Sequence, residues 1–451
     1  MLFGTKIAVC GLGFGDEGKG TTVDLLVRLL GLSYVFRFNG GSQPAHNVVA
    51  PDGTWHCFAQ FGSGSLNPGA QTVLSRDMLV DLERLAIEAS VLQRKVAEDV
   101  WSRLTIDPDC LLITPMQAML GRMREIARGK DAHGSCGHGV GETVFDAEAG
   151  LSLRVRDMLA GRTGMQRIDA IADAKIAEAA RLASEHPFEE LNLLLGQIRE
   201  IDTEALYCRY LLTLERMTVE AAASILRRNG SDHAIIGEGA QGALLDRRGG
   251  FIPNVTKTDT TRHNAVVLLR EAGIDEPFTL GVLRAYGHRH GAGPFVSEDS
   301  SLRERFADPH NFENRWQGAF RVGWLDLLAL RYGIRLNGRV DALSLTGLDR
   351  LSGLERIRVC VAYVTPDGRR FTEIPENLRA EERAALVASC SPEWIELPGW
   401  SEDIASVRRR DDLPRNARAY VRFIESGDGL ATPAAIISVG PSAEQKIIRW
   451  S

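Results

Sequence analysis

KIAVCGLGFGDEGKGTTVDLLVRLLG, residues 6–31, carries three signals in one stretch. The apolar run KIAVCGL reads as a buried strand, and the segment from EGKG onward as a helix with Val23, Leu25, Leu26, Leu29 and Leu30 on its apolar side. Between them GFGDEGKG, residues 13–20, nearly fits the phosphate-loop pattern G-x-x-x-x-G-K-[ST]. Gly13, Gly18 and Lys19 fall in place, but Gly20 stands where a Ser or Thr would hold magnesium. Such a strand–turn–helix aims backbone amides and the positive helix end at an anion, and Lys19 can reach a phosphate as a point charge. Asp16 and Glu17 put two carboxylates where phosphates would bind. A plain nucleotide cradle has no use for them. Asp16 could take a proton from a substrate, hold magnesium, do both in sequence, or only cap the helix.

The rest of the chain fits a soluble globular protein. Its 451 residues suffice for a large core, with 44% hydrophobic and 25% charged residues. A net charge of -6 with mixed signs argues against nucleic acid or a membrane surface as the main partner. No apolar run reaches the ~18 residues of a membrane span. MLFGTKIAVC reads as a strand rather than a signal peptide. Seven cysteines, widely spaced and without C-x-x-C, suit a reducing cytoplasm better than a disulfide framework or a zinc site.

Strand and helix signals alternate, which predicts an α/β fold with a large, mostly parallel central sheet and flanking helices. Further strands are expected at YVFRF (34–38), AIIG (234–237), FTLGVLRAY (278–286), DALSL (341–345), IRVCVAYV (357–364) and AAIISV (434–439). Residues 155–229 read as long helices, including TEALYCRYLLTLERMTVEAAASILRRNG, and so as a helical insertion within one domain spanning 1–451.

Five glycine-punctuated stretches could approach an anion closely: 13–20, 39–49, 132–142, 237–246 with 253–261, and 285–295. His46, in PAHNVV, is a second candidate proton-transfer group. His288 and His290 flank Arg289 in GHRHG. In a strand this spacing puts both rings on one face, but no third metal ligand is evident, and loop polar groups near an anion are the simpler reading.

These stretches together resemble the adenylosuccinate synthetase family. The resemblance rests on Gly15–Gly20 (GDEGKG), Gly40–His46, Gly239–Asp246 (GAQGALLD), Val255–Thr261, Gly291–Phe295 (GAGPF), Gly323–Asp326, Leu345–Asp349, Cys360–Tyr363, Pro398–Trp400 and Gly440–Pro441, in order along nearly the whole chain. It implies a ligase that activates the 6-oxo group of a purine nucleotide with a triphosphate and then displaces it with an amine. By the same resemblance Asp16 is the base that removes the N1 proton of inosinate and also a magnesium ligand, with the Ala45 carbonyl as a second. His46 stabilises charge at the 6-oxygen, and Lys19 steadies phosphate. Gly15, Glu17, Gly18 and Gly20 fall at nucleotide-binding positions, as do Asp349, Ser438, Gly440 and Pro441, with Asp349 reading guanine. Gln241 and Thr256 fall at purine-nucleotide positions. GTP is the implied co-substrate, with ATP or dATP as alternatives, magnesium the cofactor, aspartate or another amine the donor, and a homodimer the assembly.

The departures concern substrate pockets. Gln43 replaces Asn, Cys136 replaces a phosphate-binding Thr, and His138 replaces an Arg. Gly150 and Leu151 lie where the family sends an arginine into the neighbouring subunit, with Arg154 a candidate substitute. The donor loop, Trp316–Trp324, is one residue shorter and keeps only Arg321. Gly347 replaces a lysine two residues before Asp349. These changes leave open a relative acting on another oxo-purine such as deoxyguanylate, one using another amine, or a nucleotide-binding protein without turnover.

Overall fold

Strand β1 (Lys6–Gly11) lies near the middle of a ten-stranded sheet in the computed structural model, which describes residues 4–308, 313 and 315–449. Met1–Phe3 of the expected first strand lie outside the described residues. In chain order the other strands of this sheet are β2 (Ser33–Arg37), β3 (Gln71–Leu74), β4 (Leu104–Ile106), β5 (Thr218–Val219), β6 (Ala234–Glu238), β7 (Phe278–Arg284), β8 (Ala342–Thr346), β9 (Ala434–Ser438) and β10 (Lys446–Ile448). Their spatial order is β10-β9-β8-β7-β1-β6-β2-β3-β4-β5. Every pairing is parallel except β9 with β10. A parallel sheet covered on both faces needs near-continuous apolar strands, which is why KIAVCG, AIIGE and AAIIS are buried along almost their whole length.

Parallel strands share a carboxyl edge, and this places the site. The loops leaving β1, β2, β6, β7, β8 and β9 all emerge there, and they are the glycine-rich segments. Helix α1 (Lys19–Leu30) follows β1 and buries Val23, Leu25 and Leu26. Its N-cap is Gly18, with no side-chain cap. Asp16 is therefore not the helix cap.

The helical region shares its core with the sheet margin: Met116, Leu120, Ile168, Ile171, Leu195 and Leu206 are buried in one cluster with Val48, Phe58, Leu74 and Ile106. The helix pattern read over 203–230 is broken. Helix Thr203–Leu214 ends, Thr218–Val219 pairs with Thr105–Ile106 as β5, and a second helix runs Ala222–Asn229. The β-branched pair completes the sheet edge, so tertiary pairing outweighs local periodicity. IRVCVAYV is a strand, Leu354–Val364, but it belongs to a separate four-stranded sheet and pairs antiparallel with Ser391–Trp400.

Candidate active site

The loop 13–20 is braced from within. Glu17, 1% exposed, accepts the Gly13 N–H at 2.5 Å and pairs with the Lys19 ammonium at 3.0 Å. Thr346 donates to the Glu17 carbonyl at 2.5 Å, and Arg284 to the Asp16 carbonyl at 2.6 Å. Asp16 sits at φ 54°, a left-handed conformation that costs a non-glycine residue on the order of 1 kcal/mol. The surrounding bonds hold it there, and its carboxylate lines a cavity of about 330 Å³ together with Lys19, Gly20, Ala45 and His46. Both residues line the cavity, but the Glu17 carboxylate is buried in bonds within the loop, whereas the Asp16 side chain is 27% exposed.

The structure also explains Gly20. A Cβ at this position would lie 2.7 Å from the His46 Cβ and 3.1 Å from the His46 carbonyl carbon. The space that a Ser or Thr would need is filled by the histidine strand, residues His46–Val49.

His46 is held by a residue that sequence reasoning did not single out. Its Nδ1 lies 2.6 Å from Glu238 at the end of β6, and Glu238 also accepts from the Ser63 hydroxyl and, at 2.9 Å, from the Ser63 N–H. Burial opposes the Glu238 charge, but Arg37 and the bonds from His46 and Ser63 hold its carboxyl well below the usual carboxylate range. Burial pushes His46 below the ordinary imidazole range, against the pull of Glu238. The ionised Glu238 takes Nδ1–H, which leaves Nε2 as the ring atom for chemistry. The available signal was position: Glu238 is the last residue of a buried strand, immediately before GAQG.

A second cavity of about 270 Å³ adjoins this region and is lined by Gln43, Cys136, Gln241 and Thr256. The Oε1 atoms of Gln43 and Gln241 are buried without partners. His138 also lines it and donates to or accepts from Ser42 at 3.1 Å; burial, with Arg84 and Arg122, pushes its pKa down to about 4. Burial pushes the Cys136 thiol up. Neither residue carries charge at neutral pH. His288 points its Nε2 at the Gly15 carbonyl, while His290 Nδ1 lies 4.0 Å from the Asp16 carboxylate. Neither belongs to a group of three or more possible metal-ligating side chains among the described residues.

Two predicted residues stand apart. Arg321 lines neither cavity: it binds Glu298 at 3.0 Å and the carbonyls of Gly291 and Gly293 at 3.2 and 2.8 Å. Arg154 donates to the Asp109 carbonyl of its own chain. Asp349, Ser438, Gly440 and Pro441 line the far end of the first cavity, with Gly347 and Lys446.

Residues 8–447 match the family model for adenylosuccinate synthetase. The chain belongs to the adenylosuccinate synthetase family. Adenylosuccinate synthetases of Chromohalobacter salexigens and Anaeromyxobacter sp. (strain K) are each 33% identical to it; the first alignment covers 99% of this chain and 98% of the relative, the second 98% of each. A fully ligated adenylosuccinate synthetase from Plasmodium falciparum superposes with a TM-score of 0.83 at 25% identity, covering 99% of this chain and all of that one. The succinoaminodeoxyadenylate synthetase of cyanophage S-2L, bound to dGMP and dATP, shares the fold at TM-score 0.56 and 15% identity over 98% of this chain and 94% of that one. Membership in the adenylosuccinate synthetase family makes the chain a carbon–nitrogen ligase built on a mostly parallel α/β sheet. No helix among the described residues is long and apolar enough to cross a membrane.

Proposed function

We propose that the chain joins aspartate to C6 of inosinate at the expense of GTP, releasing GDP and phosphate. The observation that carries this reading is the arrangement of Asp16 and a Glu238-oriented His46 on one cavity wall, beside Lys19 and next to a second cavity with unpartnered amide oxygens. Binding alone needs neither group. Asp16 takes the N1 proton, which drives electron density to the 6-oxygen. That oxygen attacks the γ-phosphorus, and the bond to the β,γ-bridging oxygen breaks to release the diphosphate. The amine then attacks C6, the C6–O bond breaks, phosphate leaves and the amine loses a proton.

His46 stabilises the charge on the 6-oxygen. Its Nδ1–H is committed to Glu238, so it donates from Nε2 only as the imidazolium, and Glu238 is the anion that makes this form accessible. The Asp16 carboxylate and the Ala45 carbonyl are hard oxygen ligands facing one cavity, and they suit magnesium, which needs few protein ligands beside substrate phosphates. Bound there, the ion would neutralise triphosphate charge. Gln43 and Gln241 offer the purine nucleotide two amides with no internal partner.

One observation favours a second reading of the donor. Arg321, the only arginine kept in the donor loop, is already paired with Glu298, which favours an amine with fewer carboxylates than aspartate. A matrix of inosinate, guanylate and their deoxy forms against aspartate and other amines, read by phosphate release, tests both. Turnover with inosinate and aspartate above all other pairs supports the first reading. No purine-dependent phosphate release from any pair overturns both.

A further inference from the structure

We propose that Lys446 reads the 6-oxo group of the triphosphate's base and, with Asp349, makes the enzyme choose a guanine over an adenine nucleotide. This rests on the proposed use of GTP and on the resemblance by which Asp349, at the far end of the first cavity, reads the guanine. Lys446 stands on β10, the one antiparallel strand of the sheet, and is only 6% exposed. Its ammonium donates to the Gly440 carbonyl at 2.7 Å, and the side chain lines the same cavity as Gly347, Asp349, Ser438 and Pro441. A carbonyl takes one of three N–H groups, and Lys446 forms no ion pair among the described residues. The other cations on this wall are engaged: Arg284 with the Asp16 carbonyl and Asp308, Arg350 with the carbonyls of Arg305 and Ala307.

The Gly440 carbonyl satisfies one N–H of the buried Lys446 ammonium and leaves the others to a ligand. Burial pulls its pKa down to about 7, while Asp349 and Asp24 oppose that shift. The Ser438 hydroxyl, in the same pocket, is also buried without a partner. The remaining ammonium N–H groups and the Ser438 hydroxyl are thus both available where a base would lie. Guanine presents N1–H and N2–H donors beside its O6 acceptor. The Asp349 carboxylate suits the two donors, and Lys446 suits O6. Adenine would turn its 6-amino donor toward the ammonium, placing donor against donor. Gly347, at φ 67°, carries no side chain, so the cation at this end of the cavity comes from β10 instead.

The test measures kcat/KM by phosphate release with GTP, ITP, ATP and the triphosphate of 2-aminopurine riboside, which lacks O6, on wild type, Lys446→Met, Lys446→Arg and Asp349→Ala. Lys446→Met should lose about tenfold with GTP and ITP, the expected loss for a charged hydrogen bond, and change little with ATP or the 2-aminopurine nucleotide. Lys446→Arg should recover part of the GTP preference. If Lys446→Met lowers all four nucleotides alike, or leaves the GTP:ATP ratio unmoved while Asp349→Ala lowers it, the role of Lys446 is overturned. If Asp349→Ala also leaves GTP unaffected, the base does not bind here and the underlying reading fails with it. Should the variants not fold, wild type decides with 6-thioguanosine triphosphate, which keeps N1–H and N2–H but offers only a weak sulfur acceptor at position 6: it must be used well below GTP, and equal use of the two overturns the role of Lys446.

Discussion

The loop around Asp16 and the pocket around Gln43 are opposites in how they treat polar groups. In the loop, Glu17, Lys19, His46 and Glu238 all have buried partners, so its shape is fixed before any ligand arrives. In the pocket, the Gln43 and Gln241 oxygens have none. Proton and phosphoryl transfer reward groups already held in place, since little reorganisation is then needed at the moment of reaction. Recognition leaves its donors and acceptors open, because the ligand completes them. The closed region should therefore fail in kcat when altered, and the open one in KM.

The largest effect is expected at Asp16. Asp16→Asn should lower kcat about 10³-fold, in the range of a lost general base, with GTP affinity by titration little changed. A rate within a few-fold of wild type would remove Asp16 as the base. Glu238→Gln comes next, with kcat about 10²-fold lower. The change deletes the anion that favours imidazolium at His46, whose pKa burial already depresses. The His46 pKa falls further, so the alkaline limb of the kcat profile should move to lower pH. A shift to higher pH, or none, would break the link between them.

Gly20→Ser restores the phosphate-loop residue and should still impair the enzyme. Its Cβ would meet the His46 Cβ at 2.7 Å, so a loss of about 1–3 kcal/mol is expected in chemical denaturation, with reduced kcat. Improved activity would show that the histidine strand yields easily. The mildest case is Gln43→Leu on the open side. It should raise the purine-nucleotide KM about tenfold and leave Tm unchanged or slightly higher, because an unsatisfied buried oxygen is removed. A lower Tm with unchanged KM would invert the comparison.

The strands nearest the site were legible because burial on both sheet faces leaves apolar runs such as KIAVCG and AAIIS. Strands β3, β4, β5 and β10 were not, being short and at or toward the sheet margins, where pairing rather than composition defines them. Asp16 and His46 stood out by residue type beside glycine turns. Glu238 and Lys446 did not, since an acid ending a strand and a lysine near the C-terminus look ordinary until packing brings them to the site.

Residue order alone determined the alternating α/β plan, the glycine-rich loop after β1 and the presence of a carboxylate in it. Those properties follow from short-range patterns: apolar periodicity, glycine turns and charge placement. Only the tertiary structure decided which of two adjacent acids is locked into the loop by its own bonds and which stays accessible, why Gly20 cannot be larger, and which distant side chains complete the site. Each of these depends on contacts between segments far apart in the chain, such as Gly20 against His46, His46 against Glu238 and Lys446 beside Asp349. Local sequence carries no record of such distances.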